Sequence, residues 1–247
     1  MATALNIIMD LSDKVIMIVG AGRGIGRASA GLFAEAGASL VLASRTEQEL
    51  TELAFDLERR HGAPTLAVRT DATNSESVER LVGEAVRRFG HVDTLVYAAG
   101  AGVLKPFNET SEEEFTQLLD VNVKGAFLMC RAVLPLMEKQ KRGHIIALPG
   151  ILGRSPMAQA AAYCASKFAL TGMLKALALE TKRFGVRVSL LHFGGVNTSF
   201  WDQITMRVQR ERMLTVEAAA RAVLFAATQE GEGVLGELIL QPESHQL

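Results

Sequence analysis

The chain has 247 residues, of which 26 are basic and 27 acidic, for a formal charge of −1. That balance removes the electrostatic ground for expecting nucleic acid or an anionic membrane as partner. With 49% hydrophobic residues the chain can bury a large core, but it holds no uninterrupted run of the roughly 18 apolar residues that a membrane span needs.

Two cysteines, Cys130 and Cys164, exclude a disulfide framework and a four-cysteine metal site. A single bridge and two buried thiols both stay open. The histidines (His61, His91, His144, His192, His245) show no paired spacing for a metal, and none is expected. The start carries no basic segment followed by an apolar run, so a cytoplasmic protein is expected.

Along the chain, apolar runs at 15–19, 40–43, 66–68, 94–98, 145–148, 186–191 and 238–240 read as strands. Between them, 24–36, 47–61, 75–89, 111–138, 160–184 and 216–229 read as helices. Strands without polar alternation are covered on both faces, as in a parallel sheet between helix layers. The order predicts an α/β fold: a Rossmann-type, doubly wound parallel sheet of about seven strands with helices on both faces. No linker or repeat divides it, so one domain is expected over 1–247, with its core at about 11–240. Gly37 and Gly62 fall just past helix ends, where a left-handed residue is wanted. Asp71 and Ser75 stand where N-caps are needed, and Thr110 or Ser111 before the next helix.

The first strand runs into Val19-Gly20-Ala21-Gly22-Arg23-Gly24-Ile25-Gly26 and then a helix. A pyrophosphate binds backbone N–H groups at such a helix start, and Cβ atoms would hold it away. Gly20 suits the turn, Gly24 close phosphate approach and Gly26 tight helix packing. At the end of the second strand, NAD-binding sheets place an acid for the ribose 2′-hydroxyl. Here Ser44 and Arg45 stand instead. They leave room for a 2′-phosphate and offer it a guanidinium, with Arg23 as a second, so NADP is favoured over NAD. Arg45 as a solvated strand end is the plainer alternative.

Tyr163 and Lys167 lie four apart on a helix and share one face. A neighbouring ammonium favours the tyrosinate, so a phenol pKa lowered toward neutrality is expected, as acid–base chemistry on a carbonyl or alcohol requires.

These residues resemble the short-chain dehydrogenase/reductase family, in its single-domain branch of 3-oxoacyl-ACP and carbonyl reductases. The resemblance runs from about Leu11 to Leu240. It implies that Asp71-Ala72 meets the adenine and that Ala99 and Gly100 border the cofactor. Asn122 would hold a water in a proton relay, with Tyr163 as acid–base and Lys167 also on the nicotinamide ribose. Val196 and Thr198, after the sixth strand, would contact carboxamide and phosphates. An amide bonded to nearby backbone is the alternative reading of Asn122.

Three positions depart from the family pattern. The serine that bonds the substrate carbonyl would lie thirteen residues before the tyrosine, and Gly150 stands there. Ser155 or an ordered water are the candidate replacements. The first asparagine of NNAG is Tyr97, read as a core residue with a bonded hydroxyl or as a catalytic group, and the proline of PG is Phe193. After Thr198 a short segment resembles the substrate lid: Phe200, Trp201, Met206 and Met213 suit a hydrophobic substrate or cover the core or a subunit contact. Val103, Leu104 and Phe107 are further candidate wall residues. The resemblance implies a homodimer or homotetramer, although the ending, 241–247, lacks the family's glycine-rich close. The expected partner is a small carbonyl or alcohol, reduced or oxidised with NADP(H). The alternative is an NADP-binding protein with little or no catalysis and a regulatory or structural role.

Overall fold

The computed structural model describes residues 10–229 and 233–244. The reading of the chain's start rests on residues outside these, as do His245 and the last three residues of the ending. The strands are β1 (Val15–Val19), β2 (Ser39–Ser44), β3 (Thr65–Arg69), β4 (Thr94–Tyr97), β5 (Gly143–Ala147), β6 (Val186–Phe193) and β7 (Glu237–Leu240). All pair in parallel in the order β3-β2-β1-β4-β5-β6-β7. The helices are α1 (Gly24–Glu35), α2 (Glu47–His61), α3 (Ser75–Phe89), α4 (Glu112–Leu119), α5 (Gly125–Gln140), α6 (Ala161–Thr181) and α7 (Val216–Ala227).

Why the strands read as unbroken apolar runs is visible in β1. Val15, Met17 and Val19 pack into one core with Leu95, Met129 and Leu170, while Ile16 and Ile18 pack into the other with Phe33, Leu50 and Val223. Both faces are covered, so no position is left for a polar residue. Among the described residues, no helix is long and apolar enough to cross a membrane, and no cluster of side chains could hold a metal. Cys130 and Cys164 are both free and buried.

Three local expectations change. The helix expected over 111–138 is broken by a wide π turn at Asp120–Lys124, where the Gly125 N–H reaches the Asp120 carbonyl. Tyr97 is the neighbour that matches this widening: its hydroxyl donates to the Val121 carbonyl at 2.6 Å. Gly125 admits it, since a Cβ there would collide with the Tyr97 hydroxyl. Second, Asn74, not Ser75 or Asp71, caps α3 by accepting from the Ser77 N–H at 2.8 Å. Asp71 instead accepts from the Thr73 N–H and hydroxyl. Third, Lys182–Phe184 is a 3-10 turn, not a continuation of α6. Ser111 caps α4 in a reciprocal box with Glu114, and Gly37 and Gly62 are left-handed.

Candidate active site

A cleft of about 1020 Å³ runs along the carboxyl ends of β1, β2, β4, β5 and β6, where a doubly wound sheet binds ligands. Its first wall is the glycine loop. Gly20 has φ +89°, and a Cβ on it would stand 2.6 Å from the Ala99 nitrogen, so the loops after β1 and β4 meet only because Gly20 has no side chain. Gly26 lies under the Gly20 carbonyl, packed out of the cleft, while Gly24 and Ile25 line it with Thr198 opposite. α1 starts without a side-chain cap and without an acid in its first turn. Its uncapped N–H groups fit a pyrophosphate.

Arg23, Ser44, Arg45, Asp71, Ala72, Ala99, Gly100, Val196 and Thr198 all line the same cleft. The Ser44 hydroxyl receives the Thr46 N–H at 3.3 Å, which fixes the turn after β2. The two bonds from Thr73 hold the Asp71 carboxyl below the usual carboxylate range, so it stays an ionised acceptor. The features of this half fit a dinucleotide: uncapped amides, two guanidiniums, and a carboxylate at the end of β3.

At the other half, Tyr163 and Lys167 line the cleft from α6. The Lys167 ammonium lies 5.6 Å from the Tyr163 ring centre and donates to the Leu148 carbonyl at 3.2 Å. Burial pulls the lysine down to about 8. The expected lowering of the tyrosine is not found: burial pushes the phenol up. The reason is geometric, since the ammonium faces the ring side and the Leu148 carbonyl, and desolvation of the phenolate outweighs its attraction. Tyr163 in this state is a neutral proton donor.

Asn122 does not reach the cleft. It is fully buried, donating to the Ala101 carbonyl and to the Ser166 hydroxyl at 2.9 Å each and accepting from the Ala101 N–H at 3.0 Å. Ser166 passes the contact on to the Tyr163 carbonyl at 2.8 Å. The amide therefore ties the loop after β4 to α6, with both of its N–H donors engaged. Of the π turn, Val121 lines the cleft. The sequence reading missed Ser166 in this clamp; its place between Tyr163 and Lys167 was the available signal.

Gly150 lines the cleft with φ +72° and ψ 172°, a backbone region that essentially only glycine occupies. Its carbonyl pairs with His192 Nδ1 at 3.0 Å. A side chain added at this position is therefore strained whatever space it finds. Ser155 does not line the cleft, and Tyr97 is buried beneath the π turn.

Phe200 and Trp201 form an edge-to-face pair with ring centres 5.2 Å apart. Phe200 also lies 5.9 Å from the Tyr163 ring and over Gly102, where a Cβ would collide with it. Leu104, Met206 and Met213 join this apolar wall, while Phe107 stays in solvent. The Trp201 indole donates to the Val196 carbonyl at 2.9 Å. Arg210, which sequence reading passed over, fastens the segment by donating to Asn197, Asp202 and the Thr198 carbonyl.

Known proteins share this fold. The alcohol dehydrogenase of Thermococcus sibiricus, solved with 5-hydroxy-NADP, superposes with a TM-score of 0.88 at 28% identity, over 95% of this chain and 98% of that one. A metagenomic short-chain oxidoreductase solved with NADP gives 0.82 at 31% identity, over 94% and 98%. The sepiapterin reductase of Chlorobaculum tepidum is 33% identical over 237 residues, 93% of this chain and 96% of its own. An uncharacterized oxidoreductase of Staphylococcus saprophyticus is 32% identical over 96% and 99%. The model of the short chain dehydrogenases matches residues 14–209, and the chain belongs to that family.

Proposed function

We propose that the protein is an NADP(H)-dependent oxidoreductase acting on a carbonyl or alcohol, with Tyr163 as the acid–base. One observation carries the reading: a single cleft joins the uncapped start of α1 and Arg45 at one end to Tyr163 and Lys167 at the other. The solved relatives that bind NADP or its 5-hydroxy form support the choice of cofactor. When bound, the dinucleotide supplies the hydride. Gly24, Ile25 and the α1 amides hold the pyrophosphate, Arg45 and Arg23 the 2′-phosphate, Asp71 and Ala72 the adenine, and Ala99, Gly100, Val196 and Thr198 the stretch between.

Tyr163 gives its phenolic proton to the substrate oxygen in reduction and takes it back in oxidation. The Lys167 ammonium stabilises the phenolate left behind and binds the nicotinamide ribose. Asn122 sets the distance between the two halves through its clamp on Ala101 and Ser166. Gly150 presents no hydroxyl to the substrate, so Tyr163 alone polarises the carbonyl. Phe200, Trp201, Met206 and Met213 select a hydrophobic substrate.

The exposed phenylalanines Phe115 on α4, Phe127 on α5 and Phe168 on α6 support a homodimer or homotetramer built on these helices. The two free thiols agree with a cytoplasmic setting.

NADPH oxidation over a panel of aldehydes and diketones tests the function. Turnover in the wild type that falls by roughly 10²–10⁴ in Tyr163→Phe is expected. A second reading, cofactor binding without turnover, is favoured by Gly150 and by Phe200 lying against Tyr163. Tight NADPH binding with no oxidation of any compound would establish it.

A further inference from the structure

The first turn of α2 carries two acids, Glu47 and Glu49. Glu47 is exposed, whereas Glu49 is half-buried and lines the cofactor end of the cleft with Gly22, Arg23, Ser44 and Arg45. Its carboxylate lies so closely over Gly22 that a Cβ on that glycine would collide with it, and the Ser44 hydroxyl is 3.1 Å from the same point. The helix is drawn onto the loop by Arg27, whose guanidinium donates to the Gly22 and Glu49 main-chain carbonyls at 3.4 and 3.5 Å. Arg27 therefore holds the backbone and leaves the carboxylate alone. Among the described residues, no hydrogen bond or ion pair engages that carboxylate.

Ser44 is the last residue of β2, the position from which dinucleotide-binding sheets extend an acid to the ribose 2′-hydroxyl. Glu49 brings a carboxylate to that same place from the following helix. The 2′-substituent end of the cleft thus holds opposite charges: the guanidiniums of Arg23 and Arg45, and one carboxylate without a partner. A 2′-phosphate is attracted by the first and repelled by the second. A free 2′-hydroxyl can donate a hydrogen bond to the carboxylate.

We infer that Glu49 is a specificity-determining residue: it accepts a hydrogen bond from the ribose 2′-hydroxyl of NAD(H) and opposes the 2′-phosphate of NADP(H), so the protein binds both dinucleotides. The inference rests on the reading of the cleft as a nicotinamide dinucleotide site and adds a second ligand to it.

Calorimetric dissociation constants for NADPH and NADH, on the wild type, Glu49→Gln and Arg45→Ala, test it without any need for turnover. The expected result is measurable binding of both by the wild type. Glu49→Gln should tighten NADPH about tenfold, the scale of removing one charge a few ångströms from a phosphate in a water-like medium, and weaken NADH several-fold. Arg45→Ala should move the ratio the other way. The gain from Glu49→Gln should shrink at about 1 M salt, where exposed charges are screened within about 3 Å; a gain that persists undiminished overturns the charge argument. Dinucleotide binding with the same NADPH-to-NADH ratio in wild type and Glu49→Gln overturns the inference alone. Binding of neither dinucleotide overturns it together with the reading beneath it.

Discussion

Gly150 shows how far a single residue can be read from its letter. The family resemblance implies a serine where Gly150 stands, which invites the idea of restoring the hydroxyl. The backbone answers differently: at φ +72° and ψ 172° an added side chain is strained wherever it points. Gly150→Ser is expected to lower stability by about 1–3 kcal/mol and to leave turnover no higher than wild type. A thermal melt paired with NADPH oxidation checks both; an unchanged midpoint would mean that the loop relaxes into an ordinary conformation. Tyr163, Lys167 and the glycine loop were legible because their spacing along one element is their geometry. Glu49 was not, since its approach to Gly22 depends on how α2 settles onto a loop 27 residues earlier. The raised phenol of Tyr163 was equally hidden. Spacing puts the ammonium nearby, but burial decides the sign.

Whole elements were easier, with one instructive exception. The strands announce themselves through apolar runs that cover both faces, and their helices through period and caps. The break at Asp120–Lys124 left no mark in the period, because apolar residues continue on either side of it. Its trace was a pair of unusual residues far apart in sequence, Tyr97 and Gly125, whose fit against each other only the fold reveals. Tyr97→Phe leaves the Val121 carbonyl without its donor and is expected to cost about 1–3 kcal/mol. Gly125→Ala should destabilise the wild type through the clash with that hydroxyl, and distinctly less in the Tyr97→Phe background. A double-mutant cycle by chemical denaturation measures this coupling. Additive effects would show that the hydroxyl does not shape the turn.

At the scale of the molecule, sheet class followed from the order of runs and helices, whereas the proposed association with copies was not legible there, because alanine-rich helices suit a subunit contact and a core equally. The exposed rings of Phe127 and Phe168, at 48% and 43% of their full exposure, are the surface that the proposed assembly would cover. Phe127→Glu is expected to convert a sedimenting dimer or tetramer to monomer with the fold intact by circular dichroism. A wild type that sediments as a monomer would remove the proposed assembly. The strand order has a further consequence, for the time at which the protein comes into being. β1 lies inside the sheet between β2 and β4, and every neighbouring pair is parallel, so no strand can close on its predecessor as a hairpin. During synthesis the β1 edge facing β4 stays unpaired until residues 94–97 have been made, and the wall carrying Val196 and Thr198 arrives more than a hundred residues after the glycine loop it faces. Folding to a competent cleft is therefore a late and slow event set by long-range pairing, and the nascent chain carries sticky strands that a cell must shield while they wait.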